Sequence, residues 1–272
     1  MPRRLAVVAG AGALAPQVIA AALLVGDEVC AFCLSPQQLP DGVELRAASL
    51  EHPDALFDGI RGVAATHLVL AGAVTLTDGD RQRLIAALGG DGPPTGDAAL
   101  SRLALRLQER TGAVLTGPHE IVPELLAGAG PLAGPVATGD QMAAARLALR
   151  AARQVGAMDL GQAAVVSGAR VVAAEDVAGT DELLARVARH VAAGLLGQGG
   201  DTPVVLAKAC KPQQPLFVDL PAIGPTTIAG AAAAGISLIA VEAGRTLVLE
   251  RQLLVADADA LGISVVGMTI DG

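Results

Sequence analysis

Lys208 and Lys211 are the only lysines of the 272-residue chain; its other permanently charged cations are all arginines. An ammonium is a compact point charge that suits a phosphate. Lys208 ends an apolar run that begins at Val204, and Lys211 follows just past it. Gln214 and Asp219 come next, and Gly224-Pro225-Thr226-Thr227 then opens a stretch with helical spacing. Proline is pre-organised for the first turn of a helix. The free amides of that turn, with the hydroxyls of Thr226 and Thr227, make a ready anion site. Two cations, one carboxylate and a helix N-terminus in one loop suit phosphoryl chemistry. The cations and amides would bind a diphosphate, and Asp219 would hold a divalent metal or orient a water. The same residues also fit an exposed loop with solvated lysines and Asp219 capping a turn. Glu242 ends the next apolar run. It is either a second carboxylate of that site or the ion-pair partner of Arg245 or Arg251.

A second candidate lies near the start. Gly10-Ala11-Gly12 follows the apolar run Leu5–Ala9 and precedes a helical stretch. Glycines at such a turn let the backbone approach a phosphate. The dinucleotide fingerprint needs a third glycine and an acid at the end of the second strand. Ala15 stands at the glycine position, and the second strand runs into Leu34-Ser35-Pro36-Gln37 without an acid. Nicotinamide-dependent chemistry is therefore poorly supported. Gly10 and Gly12 would contact a phosphate or sugar, or form a structural tight turn.

Alternating elements must position these groups. Strands are expected at Leu5–Ala9, Glu28–Leu34, His67–Ala71 and Ala113–Leu115. Helices are expected at Pro16–Leu24, Pro53–Asp58, Arg81–Leu88 and Ala98–Arg110. Such alternation implies a parallel sheet flanked by helices. The Gly/Ala/Pro-rich stretch 127–138 interrupts it, so a Rossmann-like domain is expected over 1–134 and a mixed α/β domain over 135–272. In the second, helices are expected at Gln141–Val155, Thr226–Ala234 and Gln252–Leu261. Another follows Thr180, read as an N-cap with Asp181 and Glu182 in the first turn. Strands are expected at Ala163–Val166, Arg170–Glu175, Val204–Cys210, Ser237–Glu242 and Ser264–Met268.

Composition narrows the function. Apolar residues are 52% of the chain, yet Trp and Tyr are absent and Phe occurs three times. A site that stacks bases on aromatic rings is disfavoured. The formal charge is −8 without a basic block, so nucleic acid is excluded as a partner. No apolar run reaches the roughly 18 residues of a bilayer span, and the run after Arg4 is too short for a signal peptide. The chain reads as cytoplasmic. Cys30 and Cys33 form a C-x-x-C inside a strand, where the two side chains point to opposite faces. Without a second Cys/His pair they read as buried apolar residues. His52, His67, His119 and His190 are scattered singly, and only His119, beside Glu120, merits a test.

The segment from Lys211-Pro212 through Asp219-Leu220-Pro221-Ala222-Ile223-Gly224-Pro225-Thr226-Thr227 resembles the LpxI family motif K-P-x-Q-D-x-R-x-D-L-P-x-I-G-x-x-T. The match continues through Ala240-Val241-Glu242-Ala243-Gly244, and upstream at Asp159-Leu160-Gly161-Gln162 and Gly179-Thr180-Asp181. Weaker matches include Gly10-x-Gly12 and His119-Glu120. The resemblance implies an Mg2+-dependent hydrolase of UDP-2,3-diacylglucosamine that yields UMP and 2,3-diacylglucosamine 1-phosphate in lipid A synthesis. Asp219 aligns with the essential carboxylate. In this reading Lys208, Lys211 and Gln214 hold the diphosphate and Thr226 and Thr227 cap it. A lipid-linked UDP-sugar substrate allows a peripheral contact with the inner membrane, and a homodimer is compatible. Pro215, Phe217 and Ala98 replace polar groups of the family pattern. The alternative is a diverged protein that binds a nucleotide-sugar lipid or its product without turnover.

Overall fold

The computed structural model describes residues 2–74, 77–87, 96–196, 202–212, 215–217 and 220–270. The chain forms two compact units. The first holds residues 1–123 together with the short segment from Pro215; the second holds 124–214 and 220–272.

In the first unit β1 (Arg4–Ala9), α1 (Leu14–Leu24), β2 (Glu28–Cys33), β3 (Glu44–Ala47), α2 (Pro53–Gly62), β4 (His67–Ala71), α3 (Asp78–Ala87), α4 (Gly96–Thr111), β5 (Val114–Leu115) and α5 (Pro118–Ile121) follow one another. The strands pair in parallel in the order β3-β2-β1-β4-β5. Central β1 is buried on both faces, as a parallel sheet covered by helices requires. Phe32, Phe57, Ile60, Leu84 and Leu107 fill the core on one side. Phe217 packs against this same core.

The second unit runs β6 (Gly130–Ala133), α6 (Gly139–Ala157), β7 (Ala163–Ser167), β8 (Arg170–Ala174), α7 (Gly179–Ala192), β9 (Val204–Lys208), β10 (Ala222–Ile223), α8 (Pro225–Ala233), β11 (Leu238–Glu242), β12 (Leu247–Val248), α9 (Arg251–Leu261) and β13 (Ser264–Met268). Its large sheet has the order β6-β13-β11-β9-β7-β8. The strands β9, β11 and β13 are parallel, and β6, β7 and β8 run antiparallel to their neighbours. Side chains alternate across this sheet. One face, with Leu206, Ile239 and Val241, packs with residues of α7, α8 and α9. The other, with Val205, Ala207, Leu238 and Ala240, packs with Ala144, Ala148, Leu149 and Ala152 of α6.

Two sequence expectations shift here. The change of unit falls between Pro123 and Glu124, and Gly134 lies inside the second unit. The Gly/Ala/Pro-rich stretch contains β6, which pairs antiparallel with β13, and the chain just before it passes close to that strand: a Cβ on Gly267 would sit 1.8 Å from the Gly128 carbonyl oxygen. Pro131 is tolerated because β6 is an edge strand. Thr180 is not an N-cap. The cap position of α7 is Ala178, without a side-chain capping bond, and the Thr180 hydroxyl serves a tertiary contact instead.

Candidate functional site at the second sheet edge

Parallel pairing sets the register Val241↔Lys208, so the carboxyl ends of β9 and β11 lie side by side. The start of β7 joins them, since Ala163 pairs with Lys208. Lys208, Lys211, Glu242 and the loop before β7 therefore share one edge, the expected ligand-binding edge of an α/β sheet. Alternation then divides the charged groups between its two faces.

On the face covered by α7 and α8, Lys208 continues the row of Leu206. The residue is buried at 8% exposure. Its Nζ donates to Thr180 Oγ1 at 2.9 Å and to the Ala222 carbonyl at 3.1 Å. The Thr180 hydroxyl donates in turn to Glu175 Oε1 at 2.5 Å. Glu175 Oε2 accepts from the Gln162 backbone N–H at 2.6 Å. A buried ammonium is tolerable only when it is hydrogen-bonded and neutralised nearby, and this relay supplies both. Lys208 therefore ties β9 to α7 and β10. Asp176 lies just beyond. The Arg186 guanidinium at 2.8 Å and the Ala178 amide hold its carboxyl below the ordinary carboxylate value.

On the α6 face, Glu242 continues the row of Leu238 and Ala240 and is also buried. Its Oε2 accepts from the Cys210 backbone N–H at 2.9 Å. Its Oε1 faces two guanidiniums, Arg245 Nε at 3.7 Å and Arg153 Nη1 at 3.9 Å. Of the two partners expected from sequence, Arg245 is the one found. Arg251 donates to the carbonyls of Glu124 and Leu126. Lys211 Nζ meets Asp159 Oδ1 at 2.7 Å, and the Lys211 stem packs on α6, where a Cβ on Gly156 would lie 3.2 Å from Lys211 Cγ.

At the start of α8 the two threonines differ. Thr227 closes its own turn, its hydroxyl accepting from the Gly224 N–H at 3.3 Å. Thr226 is exposed and has no hydrogen-bonded partner among the described residues. Gln214 and Asp219 lie outside the described residues.

Gly10 and Gly12 belong to the first unit. The Gly10 and Ala11 amides donate to the carbonyls of Ala71 and Ala73, each at 2.8 Å. A Cβ on Gly10 would sit 2.4 Å from the Ala73 oxygen. Gly10 thus has a packing reason, the backbone-to-backbone approach of two loops. Gly12 adopts φ +96° beside open space, a conformation that favours glycine. Near α5, Glu120 Oε1 accepts from the Gly117 N–H at 2.7 Å, and the buried His119 Nδ1 has no hydrogen-bond partner among the described residues.

Mg2+ asks for hard oxygen donors with room for water. The described carboxylates of this edge do not fit it. Both Glu175 oxygens accept hydrogen bonds, Asp159 is paired with Lys211, and Glu242 already faces two guanidiniums that would repel a further cation. Among the described residues no three His, Cys, Asp or Glu side chains converge as a metal site. The edge is instead rich in cations and N–H donors, which suits an anion.

Sequence reasoning missed Arg153, Glu175 and the tertiary role of Thr180. Arg153 lies in a helix, over fifty residues before Lys208, and no spacing rule connects them. A run of apolar residues ending in Lys on one strand and Glu on the next was visible; the opposite facing of the two depends on register.

A model of the LpxI C-terminal domain matches residues 128–266, just over half of the chain. The UDP-2,3-diacylglucosamine pyrophosphatase LpxI of Caulobacter vibrioides is 42% identical over 173 residues, which make up 64% of this chain and 61% of that protein. The match therefore spans less than two thirds of that relative's length.

Proposed function

The chain belongs to the LpxI family, and from that we propose that it hydrolyses the diphosphate of UDP-2,3-diacylglucosamine in lipid A synthesis. The observation that carries the proposal is the 42% identity to a pyrophosphatase of that substrate. Supporting it, the matched region contains the edge where Lys211, Glu242, Arg153 and Arg245 gather on one face of the sheet.

In this reading water attacks the phosphorus on the sugar side. A P–O bond to water forms, the diphosphate P–O bond breaks, and UMP leaves with the electron pair. Half-exposed guanidiniums neutralise the charge that grows on the leaving oxygen. Asp219 would orient the water, or would hold the metal that the family resemblance implies, since the described carboxylates are otherwise engaged. A substrate with two acyl chains brings the protein to a membrane surface. No helix among the described residues is long and apolar enough to cross one.

The test is UMP release from UDP-2,3-diacylglucosamine, with and without Mg2+, for the wild type and Asp219→Ala. Release that collapses in the variant, by about a hundredfold or more, supports the proposal. No UMP above background with the metal present rejects it. A second reading, a binder without turnover, is favoured by one observation: Phe217, at a family arginine position, packs into the core of the first unit instead of offering a charge. A ligand-induced rise in Tm without UMP release would single out that reading.

A further inference from the structure

We propose that Arg153 and Arg245 form a phosphate-binding pair on the α6 face of the second sheet, aimed by the buried carboxylate of Glu242. The identity of the phosphate as one of the substrate's diphosphate rests on the hydrolase reading; the existence of the pair does not.

Arg186 and Arg251 are structural arginines of the second unit. Arg186 donates to Asp176 at 2.8 Å and to the Ala174 carbonyl at 2.6 Å. Arg251 donates to two carbonyls at 2.9 and 3.1 Å. Their forks hold the fold together. Arg153 and Arg245 do not behave this way. Their approaches to Glu242 Oε1, at 3.9 and 3.7 Å, are beyond hydrogen-bonding distance. Arg153 makes no hydrogen bond among the described residues. Arg245 has one long contact, Nη2 to Cys210 Sγ at 3.7 Å, and its buried Nε has no hydrogen-bonded partner.

Both side chains are 35% exposed. Each is held at one end by attraction to a buried charge and open to solvent at the other. Two guanidiniums against one carboxylate leave one net positive charge. Their donors are planar forks whose geometry matches the oxygens of a phosphate. Glu242 cannot turn away, because its other oxygen accepts the Cys210 N–H. It is a positioning residue: it sets the direction of both forks without itself contacting an anion. The dipole of α6 works against an anion near its C-terminal end, but two charge-assisted forks outweigh a backbone partial charge.

Arg153 makes no hydrogen bond among the described residues, and Arg245 remains beside Glu242 when it is replaced, so Arg153→Gln should fold as the wild type does. The probe is inorganic pyrophosphate, followed by calorimetry on the full chain. Arg153→Gln and Arg245→Gln should each weaken binding about tenfold, and the double variant about a hundredfold. Arg153→Lys should not restore binding, since a point charge lacks the fork. Glu242→Gln keeps an acceptor for Cys210 but releases the guanidiniums, and should raise KM for UDP-2,3-diacylglucosamine more than it lowers kcat. Wild type that ignores millimolar pyrophosphate, or a double variant that binds as well as wild type, overturns the proposal. Arginine-dependent pyrophosphate binding without hydrolysis of UDP-2,3-diacylglucosamine sustains the pair and sinks only the hydrolase reading. Hydrolysis with an unchanged KM in the double variant sinks the pair alone.

Discussion

The two faces of one sheet edge use their cations in opposite ways. On the α7 and α8 face, Lys208 is buried and donates to Thr180 and the Ala222 carbonyl at 2.9 and 3.1 Å. On the α6 face, Arg153 and Arg245 are half-exposed and approach Glu242 no closer than 3.7 Å. A buried cation must be fully served by its own fold, or its desolvation would not be tolerated. A half-exposed one can leave donors for a ligand because water serves them meanwhile. Charge alone does not mark a binding residue; hydrogen bonds left unmade do.

The largest effect that would break this comparison is on stability. Lys208→Met should lower the unfolding free energy by about 3 kcal/mol, because the Thr180 hydroxyl and the Ala222 carbonyl lose their common donor and Glu175, bonded to Thr180, loses the nearby positive charge. Arg245→Gln should lower it less, by about 1 kcal/mol, because Arg153 remains to neutralise the buried Glu242 carboxylate. Urea denaturation of the two variants compares them directly. Equal losses would erase the distinction between the faces.

A smaller effect sharpens it through pH. Asp176 borders the Lys208 relay, and its carboxyl is held below the ordinary value, first by Arg186 and then by the Ala178 amide. A depressed folded value means stabilisation that is present above the unfolded pKa, near 4, and lost as pH falls through the folded value. The urea midpoint of wild type should fall more steeply than that of Asp176→Asn as pH drops below about 4. Parallel curves would show that the pair contributes nothing to folding.

Much of the fold is legible in the chain for a physical reason. Strands buried on both faces must be apolar runs, so Leu5–Ala9, Val204–Lys208 and Ser264–Met268 stand out. Strand β6 does not, because Gly130 and Pro131 signal a turn, and only its partner β13 makes it a strand. The sheet edge as a gathering point was readable from the positions of Lys208 and Glu242 at strand ends. Their separation onto opposite faces was not, since it follows from the pairing of Val241 with Lys208. Thr180 has the composition of a cap, yet a buried ammonium within reach claimed its hydroxyl. Gly10 carries the look of a phosphate loop, but its amide is taken by Ala71. Local signals failed where a long-range partner competed for the same atom.

The proposed chemistry is tested most directly by hydrolysing UDP-2,3-diacylglucosamine in oxygen-18 water and weighing both products. Attack on the sugar-side phosphorus places the heavy oxygen in 2,3-diacylglucosamine 1-phosphate and none in UMP. Heavy oxygen in UMP, or no product at all, would contradict it.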